Sequence, residues 1–288
     1  VKLFVLISGY FLYKSNFKLK RIIRLAVEVI FYSVIISFLF FLFSPDKIGI
    51  KTLIKGIIPI HYWFVNMYIV MVFLSPYINK LIDSITQKQF LKLLCFLFIL
   101  WIVLELVPLI GAFQYSTLGI FLFLYMCAAF LRKYPEFLSK NTIFYIFSFI
   151  CVLIFYYASL IIFEYTKHEI PNEYFEQNGI FIFLLSLLLF IIFTKISIGN
   201  IKLINIISSA TFGVYLIHEN NFVRDFLWKN LLNNVMTFNS IHLIIYASCF
   251  GILVYIVCTL LDLCRYYLFN GAKIIYRNLL YKRKNKII

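Results

Sequence analysis

Long apolar runs, cut by short clusters of lysine, arginine and asparagine, recur from one end of the chain to the other. They cover approximately residues 1–13, 24–43, 61–82, 90–108, 115–131, 142–163, 179–194, 204–222 and 241–268. Most approach the ~20 residues that an α-helix needs to cross a hydrocarbon core of ~30 Å. None alternates strictly between apolar and polar positions, as a membrane-barrel strand would. The pattern therefore predicts nine helices. The first run is too short to span at ~1.5 Å per residue, so it reads as the remainder of a helix that begins upstream. It has neither the basic stretch nor the small-residue cleavage site of a signal peptide.

Composition turns this pattern into a fold class. Of 288 residues, 63% are hydrophobic, 20% aromatic and only 14% charged, with a mean hydropathy of +0.95. Soluble domains hold about half apolar and about a quarter charged residues and could not bury this surface. In lipid it needs no burial, provided every backbone polar group is bonded within its own segment. The expected fold is all-α: one polytopic transmembrane bundle over residues 1–288, truncated at its N-terminus, with about nine helices of an expected ten. The sequence shows no repeat, low-complexity tract or soluble domain.

The charge pattern sets the expected topology. A net charge of +15 would suit nucleic acid if it formed a patch. Here it falls instead in alternate gaps. One set holds Lys14, Lys18, Lys20, Arg21 and Arg24; Lys80, Lys88 and Lys92; Arg132, Lys133 and Lys140; Lys195 and Lys202; and the tail from Arg265 to Lys286. The other set holds only Lys47, Lys51, Lys55, Lys167, Arg224 and Lys229. Basic residues gather on the cytoplasmic side of membrane proteins, beside anionic lipid. The expectation is a multi-pass cell-membrane protein with a cytoplasmic C-terminus, membrane lipid as a partner and no nucleic acid. The gap from Ile162 to Asn178, with Glu164, Glu169, Glu173 and Glu176, is then an outer solvated loop. The stretch 44–60 places Lys47, Lys51 and Lys55 four apart among isoleucines, which predicts an amphipathic helix on the outer surface, an interfacial anchor.

Few ionisable groups fall inside the runs, and each is a candidate because burying charge in lipid is expensive. Glu28 follows Arg24 by four residues, the spacing of a helical ion pair. Glu105 precedes Pro108 near an outer helix end, and Asp262 and Arg265 form a three-apart pair near an inner one. The six cysteines lie in apolar runs without CxxC spacing and read as small buried hydrophobes. His61 opens HYWFVNMYIVMVFLSPYIN, with Trp63 and Tyr68 just inside. His218 closes SSATFGVYLIHEN, where Ser208, Thr211, Tyr215 and His218 share one helical face and call for a protein-lined cavity. Aromatic and histidine side chains at helix ends also form the belt of ordinary membrane proteins. Both readings stand for each residue singly, and convergence of the two imidazoles at one leaflet favours a site. At the other leaflet Lys18, Lys20, Arg21 and Arg24 could hold the phosphates of a cytosolic donor such as coenzyme A, or could simply anchor the chain.

Three runs, in order, resemble the acyltransferase 3 family of membrane O-acyltransferases: VKLFVLISGYFLYKSNFKLKRIIRLAVEVIFYS, HYWFVNMYIVMVFLSPYI and SSATFGVYLIHEN. The resemblance implies a ten-helix enzyme that moves an acyl group, most often acetyl, from cytoplasmic acyl-CoA to a hydroxyl of an extracytoplasmic cell-surface glycan. It implies no metal and no covalently bound cofactor. It also implies roles by position: Arg21 and Arg24 in the donor-binding turn, and Trp63, Tyr68 and His218 at the active site. Tyr215 and His61 fall beside these as substrate-binding candidates, and Ser8 and Gly9 as helix-packing residues. The family's catalytic histidine belongs to the first helix, upstream of Val1, so the chain as written is expected to need that helix for activity. The competing classes are a transporter or flippase and a polymerase of lipid-linked polysaccharide. The first predicts repeated or broken helices. The second predicts large arginine-bearing outer loops.

Overall fold

A computed structural model describes residues 1–43, 50–104, 117–166, 179–231 and 243–284. Lys47, Glu105, Pro108, Lys167, Glu169, Glu173 and Glu176 lie outside these residues. Every regular element among the described residues is helical. The helices are α1 (Lys2–Tyr13), α2 (Leu19–Phe43), α3 (Ile50–Ile57), α4 (Trp63–Ser84), α5 (Gln87–Phe98), α6 (Thr117–Lys133), α7 (Thr142–Thr166), α8 (Ile180–Lys195), α9 (Lys202–His218), α10 (Asn221–Asp225) and α11 (Leu243–Lys284). Within the described residues, each apolar run of the sequence contains a helix. Among the described residues, α2, α4, α7 and α11 contain stretches long and apolar enough to cross a membrane, and α1 and α8 are shorter apolar helices. Helix α7 buries none of its apolar stretch and presents Phe147, Phe155 and Ile161 outward. A helix apolar all round and yet exposed is suited to lipid.

Local chemistry sets several boundaries. Helix α5 starts on a capping box in which the Thr86 side chain accepts from the Gln89 backbone and Gln89 reaches back to the Thr86 N–H. The run 204–222 is cut at His218, and Asn220 caps the short α10 by accepting from the Phe222 N–H. The described part of the amphipathic stretch is α3, with Lys51 and Lys55 exposed. All six cysteines are free thiols. Only Cys127 and Cys258 are buried, so the expectation of buried cysteines is corrected for Cys95, Cys151, Cys249 and Cys264, which face outward. In lipid an outward thiol needs no burial to be tolerated.

The chain divides into two compact units. The first comprises Val1–Ile22 and Trp63–Ile198, the second Ile23–Tyr62 and Gly199–Ile288. In the first, α1 packs on α6 and α8, and α4 packs on α6. Contacts between the helices fix their direction: Ser8 meets Tyr68, Asn79 meets the end of α1, and Lys133 donates to the Ile82 carbonyl, so α1, α4 and α6 run the same way. Gly9 makes the α1–α6 approach possible, because a Cβ there would lie 2.7 Å from the Tyr125 carbonyl oxygen. In the second unit, α9 and α11 pack side by side. A Cβ at Gly213 would overlap the Asp262 carboxylate.

These contacts predict opposite outcomes for two glycine changes. Gly9→Ala pushes backbone against backbone and should destabilise the purified protein by about 1–3 kcal/mol. Gly251, with nothing within 4 Å of a built Cβ, should gain up to about 1 kcal/mol from alanine's helix propensity. Thermal unfolding in nanodiscs reads both, and equal melting of Gly9→Ala and wild type would remove the close approach.

Candidate functional site

Helix α4 organises the first unit. Its residues Tyr68, Ser75 and Asn79 are spaced seven and four apart and so share a face. Pro76 interrupts the helix and, lacking an N–H, leaves the Val72 carbonyl without its usual partner. The Ser75 hydroxyl donates to that carbonyl at 2.7 Å, which keeps the helix intact. Around this face the polar groups of three helices meet. Ser8 of α1 donates to the Tyr68 hydroxyl at 3.2 Å, and Tyr125 of α6 donates to Asn79 Oδ1 at 2.7 Å. The Asn79 amide nitrogen lies 3.4 Å from both Leu12 O and Tyr13 O, the terminal carbonyls of α1. Leu12 O already accepts from the Ser15 N–H and hydroxyl, so Asn79 adds to the α1 end chiefly at Tyr13 O, as a partial cap supplied by another helix.

A cavity lies at each end of this face. At the Asn79 end, a pocket of about 190 Å³ is lined by Ser15, Asn16, Lys18, Arg21, Ser75 and Asn79 among others. Arg21 Nη1 donates to the Ser15 hydroxyl at 3.2 Å, which points the guanidinium into this lining. At the other end, Trp63 lines a cavity of about 460 Å³ with Lys2, Thr117, Phe121 and Ser186. Lys2 is buried there. Trp63 to Asn79 is roughly 24 Å along the helix at ~1.5 Å per residue.

The second unit holds the histidines and Arg24. His218 Nδ1 is 2.7 Å from the Val214 carbonyl, which can only accept, so that nitrogen carries the proton and Nε2 presents a lone pair. Nε2 lies 3.8 Å from a Glu219 carboxylate oxygen, and Arg224 lies 3.8 Å from the other oxygen. His61 repeats the arrangement: Nδ1 is 3.1 Å from Ile58 O, and Nε2 is buried without a hydrogen-bond partner. Its ring sits 4.1 Å from that of Tyr62. Tyr62 is almost fully buried; it donates to Leu216 O at 2.7 Å and accepts from the Asn220 amide at 3.1 Å. Tyr215 lies between, its ring 6.1 Å from Tyr62 and 6.2 Å from His218. The expected polar stripe on α9 turns elsewhere. Ser208 and Thr211 are exposed, Ser208 donating back to Asn205 O and Thr211 lying 3.4 Å from the Tyr255 hydroxyl. The buried face is Ala210, Gly213, Val214, Leu216 and Ile217, because close packing on α11 selects the small and aliphatic side.

Arg24 lines a cavity of about 520 Å³ with Glu28, Phe31, Arg265 and Tyr266. Glu28, spaced as a partner for Arg24, bonds instead to Arg265, 237 residues away. Arg265 Nε also donates to Asp262 at 2.9 Å, and Tyr32 donates to the same carboxylate oxygen at 2.6 Å. Two carboxylates thus share one part-buried guanidinium, a phenol donates to one of them, and the set ties α2 to α11. The pair read as an ordinary interfacial one is the centre of this network.

The sequence-chosen residues thus fall into three groups: Arg21, Tyr68 and Trp63 along α4; His61, Tyr215 and His218 around Tyr62; and Arg24 beside Glu28 and Arg265. Sequence reasoning passed over Tyr32, Tyr62, Asn79 and Tyr125. Asn79 carried a usable signal, a side-chain amide four residues after Ser75 inside an apolar run. The tyrosines did not, since twenty-one tyrosines in the chain offer no way to choose.

A family model described as an acyltransferase domain matches residues 1–263. The chain belongs to the acyltransferase 3 family. No curated protein and no solved structure matches it. Membership makes this multi-pass helical bundle an acyltransferase.

Two measurements test this geometry. Arg265→Ala strands the Asp262 and Glu28 charges and should cost about 3–5 kcal/mol, whereas Arg24→Ala, at an exposed position, should leave thermal unfolding nearly unchanged. Similar melting of the two variants would dissolve the network. Burial lowers the His61 pKa from its ordinary value, so the fold favours the neutral ring. That contribution to stability is complete above pH ~6.5 and is lost as pH falls through the unfolded value toward the folded one. Acidification should therefore destabilise wild type more than His61→Gln, and an NMR titration placing the ring at or above 6.5 would contradict the burial.

Proposed function

We propose that this protein transfers an acetyl or other short acyl group from cytoplasmic acyl-CoA to a hydroxyl of a cell-surface glycan on the opposite side of the membrane. The observation that carries this reading is the pair of cavities at opposite ends of α4, one basic at Arg21 and Lys18, the other aromatic at Trp63. A phosphate-bearing donor fits the first, since guanidinium and ammonium groups supply charge-assisted donors to phosphate oxygens. A sugar fits the second, where an indole face and hydroxyls can receive its apolar and polar sides. Arg24 lines a separate cavity in the second unit and is the other basic residue that the family resemblance gives to donor binding.

In the transfer, the acceptor hydroxyl oxygen attacks the thioester carbonyl carbon, the C–O bond forms and the C–S bond breaks. The hydroxyl proton leaves through a base and ends on the coenzyme A sulfur. An imidazole suits that task near neutral pH. The family's catalytic histidine is the expected base; His218, its Nδ1 on the Val214 carbonyl and its Nε2 open, is the late-motif histidine that belongs to the active site in this reading. In the first unit the Tyr68 hydroxyl keeps a proton to donate to the oxyanion that forms on the thioester carbonyl; in the second, His61 and Tyr215 are the substrate-binding candidates.

The test supplies acetyl-labelled acetyl-CoA to the cytoplasmic face of membrane vesicles that contain the protein made from its complete reading frame. Label should enter glycan on the far face. Arg21→Ala should cut incorporation about tenfold or more, the loss of one charge-assisted contact of ~1.5–3 kcal/mol. Unchanged incorporation would remove Arg21 from the donor site, and label retained on the supply side would overturn transfer across the membrane.

A further inference from the structure

We infer that Ser75, Asn79 and Tyr125 form a positioning track for the pantetheine arm of the donor, leading it from the Arg21 pocket toward Tyr68. The inference rests on the acyl-CoA reading above and gives a role to residues for which the family resemblance implies none. Polar side chains gathered between three apolar helices are costly unless bonded. Here they are bonded with capacity left over. Asn79 Oδ1 accepts one hydrogen bond, from Tyr125, and has a second lone pair; its amide protons reach α1 only at 3.4 Å, near the limit of a hydrogen bond. Ser75 spends its proton on Val72 O and can still accept. Tyr68 accepts from Ser8 and keeps its own proton to donate. A ligand bearing amide N–H and C=O groups can therefore bond to this face without breaking a strong bond already present.

The chemistry and the length both select pantetheine. The arm is a flexible chain with two amides and a hydroxyl between its phosphate and its sulfur, and those groups need partners once they leave water. Its backbone is equivalent to about four residues and so spans roughly 14 Å when extended. Asn79 to Tyr68 is roughly 16 Å along α4 at ~1.5 Å per residue. With the phosphates at Arg21, Lys18 and Ser15, the amides pass Asn79, Ser75 and Tyr125. The pocket lining ends at Val72, and the thioester then lies toward Tyr68, about one helical turn beyond it, where the Phe4 and Phe64 rings stand within 6 Å of the Tyr68 ring. The track binds and orients the arm; it takes no part in bond making.

The two halves of coenzyme A allow a test that a merely structural role could not pass. Binding of coenzyme A and of 3′,5′-ADP, which lacks the arm, is measured by equilibrium dialysis on the full chain in nanodiscs. Arg21→Ala should weaken both ligands. Tyr125→Phe and Asn79→Leu should weaken coenzyme A about five- to thirtyfold and leave 3′,5′-ADP within twofold, since each removes contacts to the arm alone. If both ligands weaken together in Asn79→Leu, the residue is a helix clamp and the track is overturned; Tyr125→Phe keeps the ring and guards against simple misfolding. If Arg21→Ala weakens coenzyme A and neither track variant does, the track falls while the donor reading stands. If wild type binds neither ligand, the donor reading falls and takes the track with it.

Discussion

A polar atom surrounded by apolar helices has no water to fall back on, and that constraint governs nearly every specific contact in this protein. Backbone groups meet it by remaining helical, which is why the described elements are all helices. Side chains meet it by finding one another. In the first unit Ser75 repairs the carbonyl left by Pro76, and Asn79 partly caps the end of α1. In the second, Tyr32, Asp262, Arg265 and Glu28 close on themselves. Each bond is modest, on the order of 0.6 kcal/mol for hydrogen bonds measured between membrane helices. Their worth lies in direction, because only one rotation of each helix satisfies them all.

The same constraint explains the glycines that matter. With lipid as apolar as leucine, helices gain little from hiding aliphatic surface against one another, and close packing has to come from small residues. Gly9 lets α1 reach the backbone of α6, which brings Ser8 to Tyr68 and the end of α1 to Asn79. Gly213 makes space for the Asp262 carboxylate on α9, so the most buried acid of the charge network rests against the helix that carries His218. Gly9 and Gly213 thus act indirectly, by admitting neighbours that hold polar groups in place.

Function, as proposed, uses the residual capacity of these bonded sets. Both histidines commit Nδ1 to a backbone carbonyl and leave Nε2 as an acceptor, an arrangement set by local helical geometry and independent of any ligand. Arg21 is steered by a neutral hydroxyl, which leaves its charge uncompensated for an anion. Arg265, held by two carboxylates, is spoken for and serves the fold. The two arginines thereby take different tasks, according to whether an acid stands next to them.

The sequence by itself determined the helices, the membrane as their solvent and the family, because apolar run length and short motifs are local properties that survive without coordinates. It also marked Arg21, Tyr68, Trp63 and His218 as residues worth following. It misassigned the partner of Glu28, since four-residue spacing on one helix is visible in a string while Arg265, far along the chain, is not. It turned the α9 stripe toward a cavity, whereas Ser208 and Thr211 are exposed and the small and aliphatic residues Ala210, Gly213 and Val214 are the buried ones. Only the tertiary structure decided that Asn79 and Tyr125 meet, that Tyr62 stands between the imidazoles, and that Arg21 and Arg24 line different cavities. A hydrogen bond between helices depends on how they are rotated and how closely they approach, and that is fixed by all the contacts of the bundle together.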